Sequence, residues 1–136
     1  MRLHSNDIVI VDTSAIITRR GGGRIIDKLL KSCAKMVVSD SLLEEYLDKC
    51  RILGYSPIRF WNVRLRPLDE KGKLIRVGDE KLKLAIPRNE EDAHLANLWV
   101  TTKAKVVVTR NVSDAEALKR RYGMPYSDLK SFLDDY

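Results

Sequence analysis

Hydrophobic positions along this chain follow two periods that alternate. Ile8-Val9-Ile10-Val11 is a wholly apolar, β-branched run ending at Asp12, the pattern of a strand covered on both faces. Met36-Val37-Val38, ending at Ser39-Asp40, and Val106-Val107-Val108, ending at Thr109-Arg110-Asn111, repeat it. Between these runs the period lengthens. Ile25, Ile26, Leu29, Leu30 and Cys33 share helical spacing, and Leu42, Leu43, Tyr46, Leu47, Cys50 and Leu53 predict a long amphipathic helix that stops at Gly54. A further helix is expected from Asn89, as N-cap, to about Thr102. Ser113-Asp114-Ala115-Glu116 has the form of a capping box opening another, and a last short helix is expected from Ser127 to the C-terminus. Arg19-Arg20-Gly21-Gly22-Gly23-Arg24 reads as a flexible connection, because a phosphate-binding loop would need a closing G-K-[ST].

Residues 55–88 do not fit either period well. Pro57, Pro67 and Pro87 interrupt them, residues 68–74 look like a turn between extended arms, and Leu82, Leu84 and Ile86 alternate with Lys83 and Ala85 as in a half-buried strand. This segment is expected to be an irregular or β-ribbon insert. Short apolar strands alternating with helices otherwise imply an α/β fold with a parallel sheet, which places ligands outside the carboxyl ends of its strands. Asp12, Asn111 and Asp114 all follow strand ends.

Composition narrows the class. The 136 residues suit one domain spanning 1–136, and 44% hydrophobic with 32% charged residues excludes disordered, collagen-like and disulfide-scaffold chains. No apolar run reaches the ~18 residues of a membrane span, and the charged N-terminus does not resemble a signal peptide, so a cytoplasmic protein without a membrane partner is expected. The net charge is +6, and residues 55–88 alone hold nine basic against four acidic side chains. A local excess of that kind favours a polyanion partner.

Cysteine and histidine suggest no zinc site. His4, Cys33, Cys50 and His94 match no zinc-ligand spacing, and both cysteines fall on apolar helix faces. His94 follows Asp92 by two places, a spacing that does not share a helix face, which argues against a metal held between them.

The carboxylates are more suggestive. Asp12, Glu45 (or Glu44), Asp92 and the Asn111/Asp114 pair are candidates for one site. Asp12 abuts a buried strand, where an ionised carboxylate needs a partner; a strand-to-helix turn also favours Asp. Glu44 and Glu45 lie almost equally far from the apolar centre of their helix, but Ser41-Leu42-Leu43-Glu44 matches a capping box that would occupy Glu44. Two unit charges ~5 Å apart repel by about 3 kcal/mol at an effective dielectric of 20. Several such acids together must therefore take up protons or bind a divalent ion, and oxygen-only ligands select Mg²⁺ or Mn²⁺. Ions so held, with substrate phosphate, serve phosphodiester hydrolysis.

Four blocks in this order resemble PIN domains: Val11-Asp12-Thr13-Ser14-Ala15; Ser39-x-Ser41-Leu42-Leu43-Glu44-Glu45-Tyr46; Glu91-Asp92-Ala93-His94-Leu95-Ala96; and Val108-Thr109-Arg110-Asn111-x-x-Asp114. The resemblance spans the chain apart from the basic insert. It implies a three-layer α/β/α sandwich with a mostly parallel sheet and a metal-dependent ribonuclease. Asp12, Glu45 and Asp92 match the family's acids, and Thr109, with Thr13 and Ser14, its pocket hydrogen-bonding positions. Many members carry Asp where this chain has Asn111; an amide keeps an oxygen ligand but loses a charge, and Asp114 is the candidate replacement.

The resulting expectation is an endoribonuclease using Mg²⁺ or Mn²⁺ held by Asp12, Glu45, Asp92 and Asp114, with Asn111 as a further ligand. RNA phosphates would be gripped by Arg59, Arg64, Arg66, Lys71, Lys73, Arg76, Lys81 and Lys83 of the insert and by Arg110. Tyr55, Phe60 or Trp61 would either stack on bases or pack in the core. The resemblance further implies a homodimer and, as partner, an antitoxin or an RNA-processing protein. The competing expectation is a non-catalytic RNA-binding or assembly module on a decayed fold of the same kind.

Overall fold

A computed structural model describes residues 3–18, 21–87 and 92–136. The three apolar runs form β1 (Ile8–Val11), β2 (Lys35–Ser39) and β4 (Val106–Thr109). They are joined by β3 (Leu74–Val77) and β5 (Tyr126–Asp128) in one sheet of order β3-β2-β1-β4-β5, with every pairing parallel. Val9, Ile10, Val11, Met36, Val37, Val38 and Val106 to Val108 are all buried, as strands covered on two faces must be.

The helices are α1 (Thr13–Ile16), α2 (Gly21–Lys31), α3 (Asp40–Ile52), α4 (Pro57–Phe60), α5 (Arg66–Glu70), α6 (Ala93–Thr102), α7 (Val112–Tyr122) and α8 (Leu129–Asp135). The sheet steps one way from β1 to β3 and the other way from β4 to β5. Right-handed crossovers therefore put α2 and α6 on opposite faces. In agreement, α2 meets α5 and α8, while α6 packs on β1 and α3. The expected three-layer α/β/α architecture is what forms.

Residues 55–88 depart from the expected ribbon. Ser56 caps α4 by accepting the Arg59 N–H at 3.2 Å, and α4 runs through a π-helical turn (Trp61–Leu65) into α5. Proline at the start of α4 and of α5 sits where a helix needs no N–H. After a turn at Gly72, whose φ of 69° suits glycine, β3 adds to the sheet beside β2. The segment thus contributes one edge strand, β3, to the central sheet. The Leu82/Leu84/Ile86 alternation is also not a sheet strand. Ile86 is buried because the Asn97 amide of α6 pairs with its backbone, accepting its N–H at 2.9 Å and donating to its carbonyl at 3.1 Å. Leu84 stays exposed.

Other departures are local. Gly21 to Arg24 form the first turn of α2 instead of a flexible connection. There the Thr18 hydroxyl accepts the Gly22 N–H at 2.8 Å, and a Cβ on Gly22 would stand 2.0 Å from the Ile16 carbonyl oxygen. Glycine is required for that approach. Ser39, not Ser41, caps α3. The Ser113–Glu116 capping box does not form: Asn111 precedes α7, and Glu116 instead accepts a hydrogen bond from Tyr126 at 2.7 Å. Ser127 belongs to β5, with α8 starting two residues later. Cys50 is buried as expected, but Cys33 lies beyond the end of α2 and is exposed. Asn89, with Arg88, Glu90 and Glu91, lies outside the described residues.

Lys73 shows how a charge is used by the fold. Its ammonium donates to the carbonyls of Leu29 (3.0 Å), Leu30 (2.9 Å) and Ser32, closing the carboxyl end of α2 from the strand beside it. A cation there offsets the negative end of the helix dipole and serves carbonyls that the helix leaves open. Replacing Lys73 with Met should lower unfolding free energy by about 1–3 kcal/mol in urea titrations.

Candidate active site at the switch point of the sheet

Neighbouring β1 and β4 lead to connections that run in opposite directions, so a crevice opens beyond their carboxyl ends. Asp12 stands there. Its backbone continues the strand, donating to Val108 O at 2.8 Å, and its own carbonyl accepts the Ala15 and Ile16 N–H groups that start α1. The side chain takes no part in capping that helix. Instead Oδ2 accepts from the Ser14 hydroxyl at 2.9 Å and the Thr109 hydroxyl at 2.8 Å, and the residue is 6% exposed. The turn-forming reading of Asp12 therefore does not account for its carboxylate.

Both hydroxyls are held by the chain. Ser14 Oγ accepts the Arg110 N–H at 3.0 Å, and Thr109 Oγ1 accepts the Asn111 N–H at 2.9 Å. A hydroxyl has one proton, and with an amide on a lone pair of each oxygen both protons are placed for Asp12, the two hydroxyl oxygens standing 3.3 Å apart. Oδ2 is saturated; Oδ1 receives no hydrogen bond from the described residues and is left for a ligand.

Tyr46 sets the place of the second carboxylate. Its buried ring packs edge-on against Phe60, and its hydroxyl donates to the Val11 carbonyl, which pins α3 to the end of β1. Burial raises the phenol's pKa well above its ordinary range, with the charges of Asp12 and Glu45 adding to it, so it remains a donor. Glu45, one residue earlier, meets the Thr13 hydroxyl at 2.7 Å through Oε1 and His94 Nε2 at 2.9 Å through Oε2. Glu44 points away: its side chain is 66% exposed and lies 3.9 Å from Arg51. The choice between the two glutamates goes to Glu45.

Asp92 and Asp114 complete the acidic set. Asp92 precedes α6 in a left-handed conformation, φ 55°, and makes no capping hydrogen bond. Burial pushes its pKa up to about 6, and the charges of Asp12, Asp114 and Glu45 push the same way against a smaller pull from His94. Asp114, in the first turn of α7, accepts from the Asn111 side-chain amide at 2.6 Å. Asn111 thus acts as a tether for Asp114.

His94 was not expected here. The two-residue spacing from Asp92 excludes a shared face only if both lie on one helix, and Asp92 is a left-handed residue outside α6. Burial opposes protonation of the imidazole, but the Glu45 hydrogen bond and the charges of Glu45, Asp92 and Asp12 outweigh it and raise its pKa. The Glu45 carboxyl is correspondingly lowered, chiefly by the His94 hydrogen bond. His94 Nδ1 is buried without a partner among the described residues.

The chain matches no protein-family model, and no curated protein matches its sequence. The reading of the site therefore rests on the geometry and chemistry of its own residues.

The donor set suits a hard cation. Oxygen donors predominate, Asp12 Oδ1 is open, and the Asp92 carboxylate receives no hydrogen bond from the described residues. No three His, Cys, Asp or Glu side chains among the described residues stand close enough to enclose an ion unaided. That is compatible with Mg²⁺, which keeps several waters and is often bound through one or two carboxylates and substrate phosphate.

The expected RNA-gripping residues are dispersed. Lys73 is committed to α2, Arg66 pairs with Glu70 at 2.7 Å, and Arg76 lies over the Trp61 ring at 5.2 Å. Arg59 and Arg64 line a separate cavity of about 530 Å³ with Tyr55 and Phe60. Phe60 is core packing, Trp61 is half-buried beneath Arg76, and Tyr55 is exposed. Lys71, Lys81 and Lys83 are exposed, and Arg110 sits beside Asp12.

These shifts have opposite signs in stability. Asp92, with its pKa raised, contributes stability below about pH 4 that is lost as pH rises through about 6. His94, also raised, contributes below its unfolded pKa and loses that as pH climbs past the folded value. Glu45, lowered, contributes above pH 4.5 and loses it in acid. Asp92→Asn should therefore stabilise the metal-free protein at pH 7 by roughly 1–2 kcal/mol, allowing for solvent screening of a half-exposed group, and by nothing at pH 3.5. Urea titrations in EDTA at the two pH values measure this.

Proposed function

We propose that this protein is an endoribonuclease that hydrolyses RNA phosphodiester bonds with Mg²⁺ or Mn²⁺ held at Asp12, Glu45, Asp92 and Asp114. The observation that carries the reading is the half-satisfied Asp12 carboxylate, buried at the switch point with one oxygen fixed by two oriented hydroxyls and the other open. Three more carboxylates, from α3, from the start of α6 and from α7, lie within electrostatic reach of Asp92 or Asp12. Burial, with the neighbouring carboxylates adding to it, pushes the Asp92 pKa up to about 6, a cost to stability that a divalent cation would reduce.

When bound, such an ion polarises a phosphoryl oxygen and lowers the pKa of an attacking water. The chain's own residues do the rest. Ser14 and Thr109 fix the orientation of Asp12; Thr13 and His94 fix Glu45; Asn111 fixes Asp114. The acidic neighbours of His94 favour its protonated form, which would set a counter-charge beside the site. Asn111 supports an active site and not a decayed one, since it orients a neighbouring acid. A cytoplasmic location, self-association as a homodimer, and an antitoxin or RNA-processing partner belong to the same reading by resemblance to PIN domains.

Incubation of a panel of labelled RNAs with Mn²⁺, Mg²⁺ or EDTA tests this. The expected result is cleavage with either ion, none in EDTA, and a loss of at least ~10²-fold in Asp12→Asn. Binding without cleavage in all three conditions would instead favour the non-catalytic module.

The oriented hydroxyls give a graded companion. Thr109→Val and Ser14→Ala should each lower cleavage about 10- to 100-fold, as loss of groups behind a metal ligand does. Mn²⁺ should raise the melting temperature of the wild type and do so less in either variant, read by thermal denaturation.

A further inference from the structure

The loop that closes β4 faces two ways. Thr109 turns its hydroxyl to Asp12, while Arg110, next in sequence, lines a groove on the β5 side of the site. This groove encloses about 510 Å³. Its cations are Arg24 of α2, Arg110 and Lys130 of α8, and Leu129 and Leu133 form its apolar floor.

Charge and availability favour an anion there. All three cationic residues are exposed, and none of their side chains makes a hydrogen bond or ion pair with the described residues. Of the two acids in the wall, Asp128 is committed to capping α8: its Oδ1 accepts the Ser131 N–H at 2.7 Å, and its Oδ2 accepts the Ser131 hydroxyl at 3.2 Å. Asp134 makes no such cap, and among the described lining residues three positive charges stand against these two negative ones. The lining contains no aromatic ring, so it offers charge for a backbone and no stacking platform for bases.

We infer that this groove is the phosphate track of the enzyme: Arg24, Arg110 and Lys130 hold the backbone of single-stranded RNA on one side of the bond presented to Asp12. The inference rests on the ribonuclease reading and gives its substrate a direction, from the switch point over Arg110 toward α8. It also moves the nucleic-acid contact away from residues 55–88. The grip is sequence-tolerant, because only phosphates are touched, and strongly salt-dependent.

Fluorescence anisotropy with a labelled 12-nucleotide single-stranded RNA of mixed sequence, in EDTA and over a range of salt, tests the track without cleavage. An Arg24→Ala/Lys130→Ala double variant is compared with Lys81→Ala/Lys83→Ala and wild type, all checked for unchanged melting temperature. The groove variant should bind at least about tenfold more weakly. Its slope of log K against log salt should fall by roughly 1.4, at about 0.7 per lost phosphate contact to a single strand. The Lys81/Lys83 variant should keep the wild-type slope. Wild-type affinity in the groove variant, with the loss appearing in the Lys81/Lys83 protein, would overturn the track and leave the ribonuclease reading standing. Failure of the wild-type protein to bind RNA at any salt in EDTA would also overturn the track, while absence of cleavage with Mn²⁺ or Mg²⁺ is what would overturn the ribonuclease reading.

Discussion

A carboxylate buried at the end of an apolar strand is the constraint around which this molecule is arranged. An unpartnered ionised group at 6% exposure would cost several kcal/mol, and the fold meets that cost on one oxygen only. Ser14 reaches Asp12 because α1 starts immediately after it; Thr109 reaches it because β4 pairs with β1 in parallel and ends beside it. The backbone amides of Arg110 and Asn111 then lock the hydroxyls, so a single side chain organises two strand ends and the start of α7. The Tyr46 hydroxyl on the Val11 carbonyl ties α3 to the same spot. Because α1, α3, β4 and the start of α7 are anchored within a residue or two of Asp12, Glu45 and Asp114 are carried to the same end of the sheet.

What is delivered is electrostatically unfavourable in the absence of a cation. His94 offsets part of the charge through Glu45, but the Asp92 carboxylate accepts no hydrogen bond from the described residues, and its left-handed backbone adds strain that Gly would bear more easily. Strain and repulsion at one residue are the pattern of a site held ready for a ligand, where local consistency is given up for function.

Much of the frame was legible from residue pattern, for identifiable reasons. β1, β2 and β4 are buried on both faces, so every side chain had to be apolar and the runs stand out. β3 and β5 were missed because they flank the sheet: Arg76 and Val77 are not buried, and Tyr-Ser-Asp carries no apolar run. Asp12 was legible because a charge at the end of such a run has few explanations. Glu45 was not separable from Glu44 by helical angle, since the decision came from Thr13 and His94, residues far away in sequence. His94 was hidden by one backbone conformation: a helical spacing rule does not apply across a left-handed residue. The hydroxyls of Ser14 and Thr109 leave no periodic trace, and only the four-block resemblance pointed to them.

Charge along the chain was the weakest guide, and the reason is physical. The excess in residues 55–88 is real, but a basic side chain can neutralise a helix end, pair with a neighbouring acid or cover a ring, and Lys73, Arg66 and Arg76 do each of these. Those three charges are spent within the protein. Arg24, Arg110 and Lys130 are spread over more than a hundred positions and make no cluster in sequence, yet three elements bring them to one groove beside Asp12. A field that steers a polyanion depends on where unpaired charge is exposed and on the low-dielectric walls around it. Three uncommitted cations in one groove beside the site therefore outweigh the described basic residues of 55–87, which are dispersed. Under the proposed ribonuclease reading the juxtaposition also has a chemical logic: phosphates held on the basic side would bring the adjoining diester to the acidic side, where a cation would offset the repulsion between them.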